Sequence, residues 1–193
     1  MNFSELMTLV KEDWISHQRD WTLPGFRAIA ICRFGQWRMS IKSFYLRAPL
    51  SLLYRILYRR ARSVYGIELP YTVKLGRRIV IEHQGAIVIH GYSEIGDECI
   101  IRQGVSLGVK SIAHLDDAPT LGKRVDIGAG AKLIGKIHVG DGAIIGANAV
   151  VVSDVYPGET MVGIPARPIK STTDIPARPK KSPPPFPCDV NAL

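Results

Sequence analysis

The stretch IVIEHQGAIVIHG, residues 79–91, sets Glu82, His83 and His90 into a run of Ile, Val and Ala spaced like buried strand. Ionisable groups beside an apolar interior cost free energy unless they are paired or used. The stretch is therefore either a poorly placed surface strand or the floor of a site. Imidazole is the side chain suited to taking a proton near pH 7. A further histidine, His114, lies in the polar segment GVKSIAHLDDAP together with Asp117. His83, His90 and His114 are the set a zinc site would draw on, but they lack His-x-x-x-x-His spacing, and the three cysteines lack metal-ligand spacing. No metal is expected. His138 reads as a solvated residue, and His17 lies in the helical part.

The elements that must position these groups come in three regions. Residues 1–65 read as helix: PGFRAIAICRFGQWRM places Phe26, Ile29, Ala30, Phe34 and Trp37 at three- and four-residue steps. In APLSLLYRILYRRARSVYG, Leu52, Leu53, Ile56, Leu57 and Val64 take one side, Arg55, Arg59 and Arg62 another, and Gly66 stops the helix. Such a face either docks on the neighbouring domain, the favoured expectation, or lies on a membrane surface. Residues 66–170 carry a six-residue repeat. Leu121, Ile127, Leu133, Val139, Ile145 and Val151 follow one another at steps of six, and Gly122, Gly128, Gly140 and Gly146 follow four of them. Val125, Ala131, Ile137, Ala143, Ala149 and Val155 come four residues after each aliphatic. Earlier sets are Ile95, Ile101, Leu107 and Leu75, Ile81, Ile87. Each hexad reads as a short strand plus a turn, with three hexads closing one triangular coil whose faces are buried only against its neighbours. The repeat breaks at 109–119, which must leave the wall as a loop. Residues 171–193 are too proline-rich to pack and are expected to form a flexible tail.

The 193 residues, 46% hydrophobic and 22% charged, suit one globular domain with an appendage. No apolar run approaches bilayer length, and no secretory signal is visible around Glu5, Lys11, Glu12 and Asp13. Cys32, Cys99 and Cys188 are then expected to be reduced thiols in a cytoplasmic protein. Of the net charge of +8, +7 sits in the first third, where 11 Lys and Arg face 4 Asp and Glu across residues 1–65. Lipid headgroups, a phosphate-bearing substrate or simply solvent would each suit that face. Nucleic acid is not expected, because aromatic-rich binding motifs are absent.

The hexads, the looped-out insertion and the ending GANAVVVSDVYPGETMVGIPARPI resemble the hexapeptide-repeat acyltransferases. PGFRAIAICRFGQW and YGIELPYTVKLGRRIVIEHQG extend the likeness into the helical part, so it spans residues from about 10 to 170. Within that family the chain is similar to serine acetyltransferases and to exopolysaccharide O-acetyltransferases of the colanic-acid type. The resemblance implies a left-handed parallel β-helix with an N-terminal α-helical domain, and a homotrimer whose clefts lie between adjacent coils, with pairing of trimers as a further option. It implies acetyl-CoA as co-substrate, His83 as catalytic base and Glu68, in GIELP, as the carboxylate that orients it. The coenzyme A contacts map to Ser106, Leu107, Gly108, Gly128, Ala129, Gly146 and Ala147, with Arg167 or Lys170 for a phosphate. Glycines and alanines along a wall let a pantetheine arm approach the backbone.

The acceptor is read from departures. Serine acetyltransferases carry Asp-His where this chain has Glu82-His83, Gly-Glu-Thr where it has His90, Gly91 and Tyr92, and Arg-His-Pro where it has Asp117, Ala118 and Pro119. An acid in place of a clamping arginine would repel the serine carboxylate. The expectation is therefore a saccharide hydroxyl in surface or exopolysaccharide synthesis, lined by Glu82, His90, His114 and Asp117, with peripheral contact to the inner membrane through the basic helices. The alternative is serine O-acetylation in cysteine biosynthesis. A zinc lyase of the β-helical carbonic anhydrase type and a non-catalytic scaffold rank below both.

Overall fold

The structure is a computed structural model and describes residues 1–169; Lys170, Cys188 and the proline-rich tail lie outside the described residues. Residues 67–168 wind into five coils. The first holds β1 (Ile67–Glu68), β2 (Lys74–Leu75) and β3 (Val80–Glu82). The second holds β4 (Ile87–Ile89), β5 (Glu94–Ile95) and β6 (Ile100–Arg102), the third β7 (Ser106–Gly108), β8 (Thr120–Leu121) and β9 (Asp126–Ile127). The fourth holds β10 (Lys132–Ile134), β11 (His138–Val139) and β12 (Ile144–Ile145), the fifth β13 (Val150–Val151) and β14 (Thr160–Val162). Every third strand pairs in parallel, giving a first face β1-β4-β7-β10-β13, a second β2-β5-β8-β11 and a third β3-β6-β9-β12-β14. β15 (Arg167–Pro168) closes the third face in antiparallel register with β14.

The six-residue spacing works because each coil turns three corners and must send one aliphatic inward from each face. Leu121, Ile127, Leu133, Val139, Ile145 and Val151 are all buried, as are the small residues four positions after them. The repeat shifts phase between Ile87 and Ile95, and β4 absorbs the shift. Its pairing with β1 joins Ile67 to Ile87, while its pairing with β7 joins Ile89 to Leu107. Both isoleucines are buried, with Val88 facing outward between them. The insertion leaves the wall after β7 and returns at β8.

Three helices precede the coils. α1 (Phe3–Ser16) opens with a capping box between Asn2 and Glu5, and α2 (Pro24–Met39) starts on its proline. α3 (Phe44–Arg60) runs through a π-helical turn, Ala61–Tyr65, into Gly66 at φ 64°, a left-handed stop that glycine adopts without strain. α2 docks on the first coil with a face different from the one its spacing suggests. Gly25, Ala28, Ile29 and Cys32 turn inward, whereas Phe26, Ala30, Phe34 and Trp37 are only partly covered. The contact is close: a Cβ on Gly25 would stand 2.1 Å from the Ile81 carbonyl oxygen. Burial pushes the Cys32 thiol up to about 12, which keeps it protonated and inert.

Buried charges lock this junction. Arg33 Nε donates to Asp13 at 3.0 Å, and its other nitrogens donate to the carbonyls of Leu75, at 3.1 Å, and Gly76. Both side chains of the ion pair are almost fully buried. His17, unremarkable in the sequence, is buried beside them. It donates from Nδ1 to the Asp13 carbonyl at 2.7 Å, and its Nε2 accepts the Ile81 N–H at 3.2 Å. Burial holds the imidazole below its ordinary value of 6.5.

The expected docking of the α3 apolar side is overturned. Leu52, Leu53, Ile56 and Val64 are exposed, and Tyr54 on the opposite side is the buried residue of that helix. The reason is local: Arg38 stacks between the Tyr54 and Tyr71 rings at 4.3 and 4.6 Å, and the Tyr54 hydroxyl accepts the Tyr71 N–H. A polar and aromatic contact, not the leucines, faces α3 inward.

Gly25→Ala is expected to destabilise the protein by about 1–3 kcal/mol, despite alanine's helix preference of about 1 kcal/mol; denaturant unfolding checks it. Because the folded state keeps His17 neutral, the unfolded state binds the extra proton, and stability falls as pH drops through 6.5. Unfolding midpoints across that pH range are expected to show this slope in the wild type and a shallower one in His17→Gln.

Candidate active site

The chemistry-bearing residues gather along the edge where the third face turns into the first. His83 follows β3 on that corner, exposed, with φ 66°. A left-handed backbone is uncommon for a side-chain-bearing residue and marks a position held by its surroundings. In-register pairing of β3, β6, β9 and β12 sets Glu82, Arg102, Gly128 and Gly146 in one outward row. His83, Gln103, Ala129 and Ala147 form the next row on the corner, where Gly130 N–H donates to Gln103 and Asn148 N–H to Ala129. The imidazole thus heads a wall that carries no bulky side chain at its third and fourth coils. Packing demands the same bareness. A Cβ on Gly128 would stand 2.5 Å from the Ala147 nitrogen, and one on Gly146 2.8 Å from Val162.

Glu68 lies on β1, in register with Val88 on the first face, just past this edge. Its carboxylate is 3.4 Å from Arg62 Nε. Among the described residues no hydrogen bond joins Glu68 to His83. The two share an edge, and Arg62, Arg59, Ser63 and Val88 complete an open hollow around Glu68. Glu82 does not stand free toward an acceptor. It pairs with Arg102 Nε at 2.9 Å, and Arg102 also holds Asp126.

The remaining candidates separate. Ser106 faces outward, and its hydroxyl accepts from Lys132 Nζ at 3.1 Å. Leu107 is fully buried, so its side chain belongs to the core and only its backbone is open to a ligand. Gly108 pairs with Ile134 at the far end of β7. Arg167 is exposed on β15. His90 follows β4 on the opposite edge of the first face, and its Nδ1 is buried without a hydrogen-bond partner among the described residues. His114 is exposed on the insertion, which leaves the wall from that same edge. Asp117 lies 3.6 Å from Lys136 Nζ. The width of the first face therefore separates Glu82 and His83 from His90, His114 and Asp117 within one chain. Among the described residues no group of three or more His, Cys, Asp or Glu side chains is placed to hold a metal ion. Sequence reasoning missed Arg102 and Arg62. Arg102 carried a signal: a lone arginine at an outward hexad position, one coil along from Glu82.

A bare-walled corner headed by a histidine, on a left-handed parallel β-helix of hexads, defines a hexapeptide-repeat acyltransferase. No family model matches the chain. The serine acetyltransferase of Helicobacter pylori is 42% identical over 146 residues, 76% of this chain and 81% of that protein. A Brucella abortus serine acetyltransferase solved in complex with coenzyme A matches with a TM-score of 0.74 at 27% identity, over 86% of this chain and 68% of that one. A Neisseria gonorrhoeae serine acetyltransferase in complex with serine matches with a TM-score of 0.69 at 30% identity, over 86% and 70%. The chain belongs to the serine acetyltransferase family. That membership overturns the saccharide acceptor and the exopolysaccharide assignment expected from the departures in sequence. The physical reason lies in two ion pairs. Asp117 is offset by Lys136, so it does not act as a bare repelling acid, and Arg102 supplies a cation beside Glu82.

Glycine accepts φ 66° freely and alanine does not. His83→Gly is therefore expected to be about 1 kcal/mol more stable than His83→Ala, as measured by denaturant unfolding of both variants.

Proposed function

We propose that the protein transfers acetyl from acetyl-CoA to the hydroxyl of L-serine. The observation that carries this reading is the position of His83 at the head of the bare corner formed by Gly128–Ala129 and Gly146–Ala147. An extended thioester arm laid along that corner brings its carbonyl to the imidazole. Neutral His83 accepts the serine hydroxyl proton as oxygen attacks the thioester carbon. The tetrahedral intermediate then collapses, the C–S bond breaks, and the imidazolium returns the proton to the leaving thiolate. Glu68, swung from Arg62 to the second ring nitrogen, fixes the tautomer and stabilises the imidazolium.

Serine also presents an ammonium and a carboxylate, and the Glu82–Arg102 pair offers one partner for each. Arg102 thereby takes the part of a carboxylate clamp that the insertion lacks. Ser106, Gly108 and Arg167 serve the coenzyme further from the reacting carbon. His90, His114 and Asp117 reach such a site only from a neighbouring chain, which a threefold homotrimer with clefts between adjacent coils supplies.

Thiol release from acetyl-CoA, followed with L-serine as sole acceptor, tests the reading. Serine-dependent release is expected, with kcat reduced about 10²- to 10⁴-fold in His83→Ala. In Arg102→Leu the KM for L-serine is expected to rise about tenfold to a hundredfold, with the KM for acetyl-CoA little changed. Coenzyme A binding without serine-dependent release would overturn the acceptor; release undiminished in His83→Ala would overturn the mechanism.

A further inference from the structure

The outward side of α3 is the largest feature that the catalytic reading leaves unused. Tyr45, Pro49, Leu52, Leu53 and Ile56 fall at steps of three and four along one face, and all are exposed, Tyr45 at 87% and Leu52 at 61%. Phe44 and Leu46 extend this apolar face at the start of the helix, exposed at 66% and 64%. A soluble protein rarely leaves so continuous an apolar strip to water. Cations adjoin the strip: Arg55 lies on one flank, and Arg60 continues the strip one turn beyond Ile56, both exposed. Among the described residues neither forms an ion pair. No Asp or Glu occurs anywhere between Asp20 and Glu68, so the whole surface built from this segment is positive.

We infer that α3 is a docking face for an anionic lipid surface, lying in the interface with its apolar side down and its arginines among the headgroups. Helix length and composition suit that position and not a span, since no described helix is long and apolar enough to cross a membrane. The charge decides between occupants. A second copy would bring a face of the same sign and no acid to meet Arg55 and Arg60, whereas anionic headgroups neutralise both. A polyanion without an apolar phase would leave Leu52, Leu53 and Ile56 in water. The inward side of α3 is already held by Tyr54, Arg38 and Tyr71, so docking requires no refolding.

The test is cosedimentation of the full chain with vesicles of phosphatidylcholine, with and without phosphatidylglycerol, at low and high salt. Binding is expected to the anionic vesicles alone and to weaken with salt. Each of Arg55→Gln and Arg60→Gln is expected to reduce partitioning about fivefold, and Leu52→Ser with Ile56→Ser at least tenfold. These positions are exposed, so the unfolding midpoint and serine-dependent thiol release are expected to stay unchanged. Absence of binding, equal binding to both vesicles, or binding indifferent to the serine substitutions overturns the inference. So does a smaller particle in sedimentation velocity for the Leu52/Ile56 variant, which would show that a second copy covers this face.

Discussion

Each coil beyond the first, which α2 also covers, must bury its aliphatics against the coils above and below it. That constraint fixes the step at six residues and sends Ile127, Leu133 and Val139 inward. It also requires corners narrow enough that a Cβ on Gly96, Gly122 or Gly128 would collide with the next coil. Chemistry is thereby confined to what remains: outward positions and corners. His83 occupies such a corner, and the glycines that close the packing below it also clear the wall along which a thioester arm would lie. Stability and access share one cause.

The helical part obeys a different physics. It is joined to the first coil less by a broad apolar face than by a few buried polar groups, each with specific partners. Arg33 meets one Asp13 carboxylate oxygen and two carbonyls of the first coil at once, and His17 bridges Asp13 to Ile81. Burying such groups is costly unless the geometry is met, so they specify how α1 and α2 sit more than they add stability. Arg38 does the same for α3 through two tyrosine rings. One consequence is that Leu52 and Leu53 of α3 are turned to the outside and take no part in the core.

Charge at the outward positions likewise depends on partners brought from different coils. Asp117 taken alone argues against an amino-acid acceptor; beside Lys136 it loses that force. Glu82 taken alone is a second acid beside the base; beside Arg102 it becomes half of a dipolar pair. His90 and the insertion lie on the far edge of the first face, too far across the strands to join His83 within one chain.

The repeat and its break at 109–119 were legible in the order of residues, because a coil that packs on its neighbours writes its period directly into the chain; that His83 stands on a corner and not within the strand was not. The phase shift at β4 was not read from the chain: the eight residues from Ile87 to Ile95 are one step of six with two extra residues, and only the pairing shows β4 absorbing them. What could not be read were the pairings between residues 19 to 64 positions apart: Glu82 with Arg102, Lys136 with Asp117, His17 with Ile81. The buried face of α2 and the inverted orientation of α3 belong to the same class. Helical spacing reports which residues share a side, but not which side meets the core. Burial is decided by what the rest of the fold presents, and here the tyrosine pair and the bulk of Ile81 made that choice.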